Sequence, residues 1–260
     1  MAFPFPSFKN PPVNEVAIGL EFENLDRLLI PHFGLFWAQI KSEFPTAQHA
    51  SPFTGGQIAS DGATGLPLPR IWFVDQSEER LLQLQSTRIV FNWRRRPDRE
   101  YPRYSVIAKQ FFEYLNVFEA FVAKHDVGIL KPLSAELSYV NVVPRKPEGK
   151  VTEEAASLLK DFQWQDFAGR FLTAPQTIAW SATFPLPAEN GQLIVKLDDA
   201  KLVADQSSVL KLELTANTKF PSGKTANVHE WFDLAHEWIV KGFVDLTSDR
   251  AHQELWRREQ

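Results

Sequence analysis

Residues 88–104 read RIVFNWRRRPDREYPRY, and core, charge and topology all change within them. Arg88-Ile89-Val90-Phe91-Asn92-Trp93 is rich in β-branched and aromatic residues and reads as a strand. A basic elbow follows, in which Arg94, Arg95, Arg96, Arg99 and Arg103 are punctuated by Pro97 and Pro102. Proline has no amide donor and restricts the residue before it, so neither strand nor helix runs through the elbow. Beyond Tyr104, helical spacing sets in: Val106, Phe111 or Phe112, Leu115, Phe118 or Glu119, and Val122 mark an amphipathic helix.

Upstream of this stretch, two further strands form a meander with it. Ile71–Val74 ends at an Asp75-Gln76-Ser77-Glu78-Glu79 turn, and Arg80–Gln85 alternates through Leu82 and Leu84. Residues 45–69, rich in Gly, Pro, Ser and Thr, read as a long loop, a length that often carries function. Pro31 opens a helix in which Phe33, Phe36, Trp37, Ile40 and Phe44 keep helical spacing. Val16, Ile18, Leu20 and Phe22 alternate with polar or small residues in a half-buried first strand over 13–23. Residues 1–12, with four prolines, read as an extended arm whose Phe3, Phe5 and Phe8 call for an apolar groove.

Downstream, Leu133–Val143 is a strand. The polar run Pro144–Lys150 is the clearest internal boundary, which divides the chain into halves at 1–146 and 147–260. Thr152 reads as the cap of a helix to Phe162, with Glu153 and Glu154 in its first turn. Three strands follow at 176–186, 192–203 and 208–218, with Asn190-Gly191 as a hairpin turn. The last helix, from about Asn227 to Trp256, has a restart point at Thr247-Ser248-Asp249 and a buried end at Leu255-Trp256. The order β-α-βββ-α-β, then α-βββ-α, predicts an α+β fold: two halves, each an antiparallel sheet with helices on one face, or one continuous sheet.

Composition narrows the function classes. The chain has 260 residues, and its 21 Phe and 8 Trp point to an aromatic core. It contains no cysteine, which excludes disulfides, thiolate metal sites and cysteine nucleophiles. The N-terminus lacks the pattern of a secretory signal, and no apolar run approaches the roughly 20 residues of a membrane span, so a cytoplasmic protein is expected. A net charge of −4 gives no general attraction to nucleic acid. Phosphate-loop, dinucleotide and nucleophile-elbow motifs are missing. No catalytic residue, metal ligand or cofactor is assigned.

Two constellations stand out. His229, Asp233 and His236 share a narrow sector of the last helix and would suit a metal or acid/base site; the polar flank of an amphipathic helix is the simpler explanation. The elbow is the stronger signal, because residues 88–103 carry six arginines against Asp98 and Glu100 in an acidic chain. Arg94, Arg95, Arg96, Arg99 and Arg103, with Trp93 and Tyr101, are the candidate binding residues. They suit an acidic protein partner, a nucleic acid gripped at its phosphates and stacked on the aromatic rings, or an ordinary surface paired with acidic residues of the same chain.

The opening Asn10-Pro11-Pro12-Val13-Asn14-Glu15-Val16, the strand end Val90-Phe91-Asn92-Trp93 and Tyr101-Pro102-Arg103-Tyr104 ahead of a helix resemble a sporadically distributed, uncharacterised bacterial family of about this length. The Leu137-Ser138-Tyr139-Val140-Asn141 strand and the C-terminal Glu254-Leu255-Trp256 extend the resemblance over nearly the whole chain. It implies no reaction, cofactor or catalytic residue. The patchy distribution is similar to that of accessory genes, including defence and toxin-neutralising systems. The leading expectation is therefore a non-catalytic, partner-binding accessory protein.

Overall fold

The computed structural model describes residues 6–51, 68–97, 99–202, 204–221 and 227–259. Most of the expected 45–69 loop lies outside the described residues, as do Phe3 and Phe5. The fold is α+β, as expected. In chain order the elements are β1 (Val13–Phe22), α1 (Ile30–Ile40), β2 (Thr46–Ala50), β3 (Arg70–Val74), β4 (Arg80–Gln85), β5 (Arg88–Arg94), α2 (Tyr104–Lys124), β6 (Pro132–Pro144), α3 (Val151–Leu158), β7 (Ala179–Pro185), β8 (Gln192–Lys201), β9 (Ser208–Lys219) and α4 (Val228–Leu246). The strands belong to one nine-stranded sheet in the order β2-β3-β4-β5-β1-β6-β9-β8-β7. By density of contacts the chain divides into two compact units. One comprises Glu15–Leu137 with Asn217–Val228, here the elbow unit. The other comprises Met1–Asn14, Ser138–Ala216 and His229–Gln260, here the closing unit. The units interleave, whereas the sequence suggested successive halves meeting at 146/147.

In the elbow unit the meander forms as read: β3 pairs with β4, and β4 with β5, all antiparallel. β1 joins the other side of β5, with Glu15 opposite Arg94 and Glu21 opposite Arg88. β2 lies within the stretch that reads as a loop, and it pairs with β3 at the sheet edge. Its residues are almost all exposed, so no buried face imposes a period-two pattern on its sequence.

α1 and α2 cover one face of this sheet. Phe33, Phe36 and Ile40 of α1 are buried, and Trp37 donates its indole N–H to the Phe44 carbonyl at 2.8 Å. The buried stripe of α2 runs through Ile107, Phe111, Tyr114, Leu115, Phe118, Phe121 and Val122. Val106, expected in that stripe, is exposed, and Ile107 takes its place one residue on. Phe36 packs edge-to-face against Phe73, Phe118 and Phe121 at ring separations of 5.3–5.9 Å. Each such buried ring contributes about 0.5–1.5 kcal/mol per aromatic pair beyond its area.

In the closing unit, β7 and β8 form the expected hairpin, with Gly191 at φ 108° and Leu186 N–H donating to its carbonyl. That φ is in the region glycine tolerates without steric cost. Phe232, Ala235, Ile239, Phe243 and Leu246 give α4 its buried face. The backbone around Gly242 leaves no spare room: a Cβ there would come within 3.1 Å of Leu193 Cδ2. α4 ends where Thr247 turns its hydroxyl onto the Phe243 carbonyl. A π-type turn over Ala251–Leu255 then brings Trp256 into the core. Leu255, expected beside Trp256 in the core, is exposed. The arm does find an apolar seat: Phe8 packs on Phe243, His252 and Trp256, and Phe8 bridges to Arg258.

The stretch that looked most like a linker is folded tightly. Arg145 donates to Glu154 at 2.7 Å, to Asp199 at 2.6 Å and to the Gly149 carbonyl at 2.9 Å. Glu154 also accepts the Lys146 backbone N–H. These bonds fix the start of α3, whose first residue is preceded by Lys150; Thr152 is buried within the first turn instead of capping it.

Candidate functional site

The elbow splits its own residues between inside and outside. β5 alternates, so Ile89, Phe91 and Trp93 face the helices while Arg88, Val90, Asn92 and Arg94 face the other way; Phe91 stacks on Tyr114 of α2. Trp93 is buried, and its indole N–H donates to Glu79 at 2.8 Å. Tyr101 packs edge-on against Trp93, ring centroids 5.3 Å apart, and Tyr104 is buried at the start of α2. Trp93 therefore anchors the elbow from within and presents no ring to a ligand. Arg103 immediately precedes α2 with φ 74°. That conformation is costly for a residue with a Cβ, by about 1–3 kcal/mol, and persists only where the surroundings impose it. Here Tyr101 and Tyr104, packed on either side of it, fix the chain.

The arginines divide accordingly. Arg88 pairs with Glu21 at 3.1 Å, which also accepts the Ser134 hydroxyl. Arg96 pairs with Glu78 at 3.2 Å. Arg95 is half-buried, whereas Arg99 and Arg103 are exposed, and among the described residues no carboxylate lies within ion-pair distance of either. Arg94 turns onto the sheet face away from the helices, with its guanidinium carbon 5.5 Å from the Trp72 ring centre.

That face holds a feature the sequence did not disclose. Trp72 donates its indole N–H to Gln83 at 3.0 Å, Gln83 donates to Asn92 at 2.6 Å, and Asn92 donates to Glu15 at 2.6 Å. One polar side chain from each of β3, β4, β5 and β1 is thus joined in a directed chain. Each amide uses its carbonyl on one side and its NH2 on the other, so the chain runs from the indole to the Glu15 carboxylate. Gln83 and Asn92 are buried. A buried, satisfied relay of this kind is stiff, since an unmade bond would leave a polar group without water. The guanidinium of Arg70 lies 5.3 Å from the Trp72 ring centre, so two arginines flank one indole. Burial, followed by the nearby Arg88 charge, lowers the Arg70 pKa. Arg94 is lowered by burial first; Glu15 opposes that and the Arg96 charge adds to it.

Gln83 and Gln85 alternate with leucines in a pattern indistinguishable from a solvent-facing strand surface, so periodicity alone reads this buried relay as exposed. The available signal is the coincidence of an indole, two amides and a carboxylate at facing or diagonal positions on four neighbouring strands, legible only once the strand order is known.

The α4 trio does not assemble. His229 and Asp233 are exposed, while His236 is half-buried with its ring 6.2 Å from that of Tyr139. Burial lowers its pKa to about 4, leaving a neutral imidazole at neutral pH. Among the described residues, no group of three His, Asp or Glu side chains is placed to hold a metal ion. Nor is any described helix long and apolar enough to cross a membrane.

No protein-family model matches the chain, and no curated protein does. Among solved structures it aligns with DynU16, a protein of the dynemicin biosynthetic locus, at 12% identity over 89% of this chain and 98% of that one, with a TM-score of 0.27. A score that low carries no argument.

Proposed function

We propose that the chain is a non-catalytic binding protein whose elbow engages an acidic surface of a protein partner. The observation that supports this reading is the pair Arg99 and Arg103: exposed, with no carboxylate among the described residues at ion-pair distance, on a loop anchored by the buried Trp93 and Tyr101. Cations on a fixed loop lose less entropy on binding than cations on a floppy one, and rim charges steer association. The accessory role, of the defence or toxin-neutralising kind, and a cytoplasmic setting rest on the family resemblance and on composition.

A nucleic acid is the weaker reading. It calls for rings on which bases stack, and the elbow's aromatic residues are packed inward or against one another. The test is affinity capture from source-cell extract with wild type and the Arg99→Glu/Arg103→Glu double variant, each checked for unchanged thermal unfolding. Loss of a specific acidic partner by the variant is the expected result. Retention of every specific partner overturns the reading, as does capture of nucleic acid that weakens steeply with salt.

A further inference from the structure

We propose a second site beside the elbow's exposed tip: the guanidinium pair of Arg94 and Arg96 receives one carboxylate group of a small organic anion.

The first argument is a diverted partner. Glu15 stands opposite Arg94 in the β1–β5 register, the natural place for a cross-strand ion pair. The two form none; the Glu15 carboxylate instead accepts from Asn92 at 2.6 Å and terminates the relay. Among the described residues, Arg94 Nη2 finds no hydrogen-bond acceptor and is buried. The second argument is its neighbour. Arg96 gives Nη2 to the largely exposed Glu78 at 3.2 Å, while its own Nε is buried without an acceptor among the described residues. The two guanidiniums repel one another, and each holds a buried N–H without an acceptor among the described residues, which an oxyanion received by both would answer. An unpaired buried donor costs about 1–3 kcal/mol, and a charge-assisted bond to a carboxylate replaces that cost with one of the stronger contacts available to a protein.

Charge favours a monoanion. Glu15, Glu78 and Asp75 already act on Arg94, so a carboxylate meets less repulsion there than a phosphate dianion does. The relay keeps the floor of the site rigid, since Trp72 and Glu15 are held at its two ends.

The test titrates sodium acetate, sodium benzoate, sodium phosphate and sodium chloride at matched ionic strength into the full chain, following arginine side-chain N–H resonances by NMR. The expected result is saturable movement of the Arg94 and Arg96 signals with acetate or benzoate, absent with chloride and weaker with phosphate. In Arg94→Met the carboxylate affinity falls by at least about tenfold, while in Arg99→Glu/Arg103→Glu it is retained, which separates this site from the partner surface. Arg96→Met serves as the second variant should Arg94→Met not fold. Equal response to chloride, or unchanged affinity in both methionine variants, overturns the proposal. A response to phosphate exceeding that to carboxylates overturns the assignment of the ligand class.

Discussion

Arg145 and Arg94 both stand where a strand gives way to a loop, and they have opposite surroundings. Arg145 distributes its guanidinium over Glu154, Asp199 and a backbone carbonyl, and hydrogen bonds to those carboxylates outweigh burial and raise its pKa. Arg94 lies against an indole, its own Nη2 without an acceptor among the described residues, and burial wins, lowering its pKa. Proton affinity thus separates a guanidinium that closes a fold from one that awaits an acceptor. The first is a structural clamp in what reads as a linker; the second sits in what reads as a basic elbow.

The contrast breaks most visibly at Arg145. Arg145→Met leaves Glu154 and Asp199 half-buried and unpaired, and urea unfolding should show a loss of about 3–5 kcal/mol. A loss below about 1 kcal/mol would mean the clamp is ordinary surface.

His236 extends the comparison to a group that meets burial by giving up its charge. Its folded pKa, about 4, lies below the unfolded value of 6.5, so the unfolded chain binds more protons between the two. Its contribution is fully present above pH 6.5 and is lost as pH falls toward 4, by on the order of 3 kcal/mol. Denaturation of wild type and His236→Phe at pH 7.5 and pH 4.5 isolates the effect from the other titrating groups. Equal pH dependence in the two proteins contradicts the assignment.

A smaller effect is expected in the relay. Asn92→Leu removes both of its bonds and strands Gln83 and Glu15, for a cost of about 1–3 kcal/mol by urea unfolding. The smallest belongs to Arg94 itself: Arg94→Met removes a desolvated charge whose donor is unanswered, so stability should stay within about 0.5 kcal/mol of wild type or rise. Should Arg94→Met cost as much as Arg145→Met, the distinction between clamp and receiver collapses.

The sequence made the helices and inner strands legible because burial writes a period. Val16, Ile18, Leu20 and Phe22 alternate, and Phe111, Leu115, Phe118 and Val122 recur at helical spacing. It failed where burial imposes no period or where polar residues are buried. β2 has no buried face, and Gln83 and Asn92 are polar residues in the interior. The elbow was legible as charge but not as direction. Local sequence cannot tell that Arg94 points onto the sheet face, that Trp93 is an internal anchor, or that Arg99 and Arg103 stay outside. Those assignments depend on which strand lies beside β5, and β1 lies far from it in the chain.

The bridge between Phe8 and Arg258 also bears on the order in which the molecule is made. The elbow unit draws most of its residues from one continuous run, Glu15–Leu137, so its meander and both helices can assemble while the remainder is still being translated. The closing unit draws on residues at both extremes, and its aromatic seat for Phe8 needs Phe243, His252 and Trp256. During synthesis Phe8 therefore remains without that seat until Trp256 has emerged. Closing so long a loop carries an entropic cost that is recovered only when the seat forms. The closing unit is thus expected to form late, and the interval before it closes is when a nascent chain with an unburied Phe8 most needs protection from aggregation.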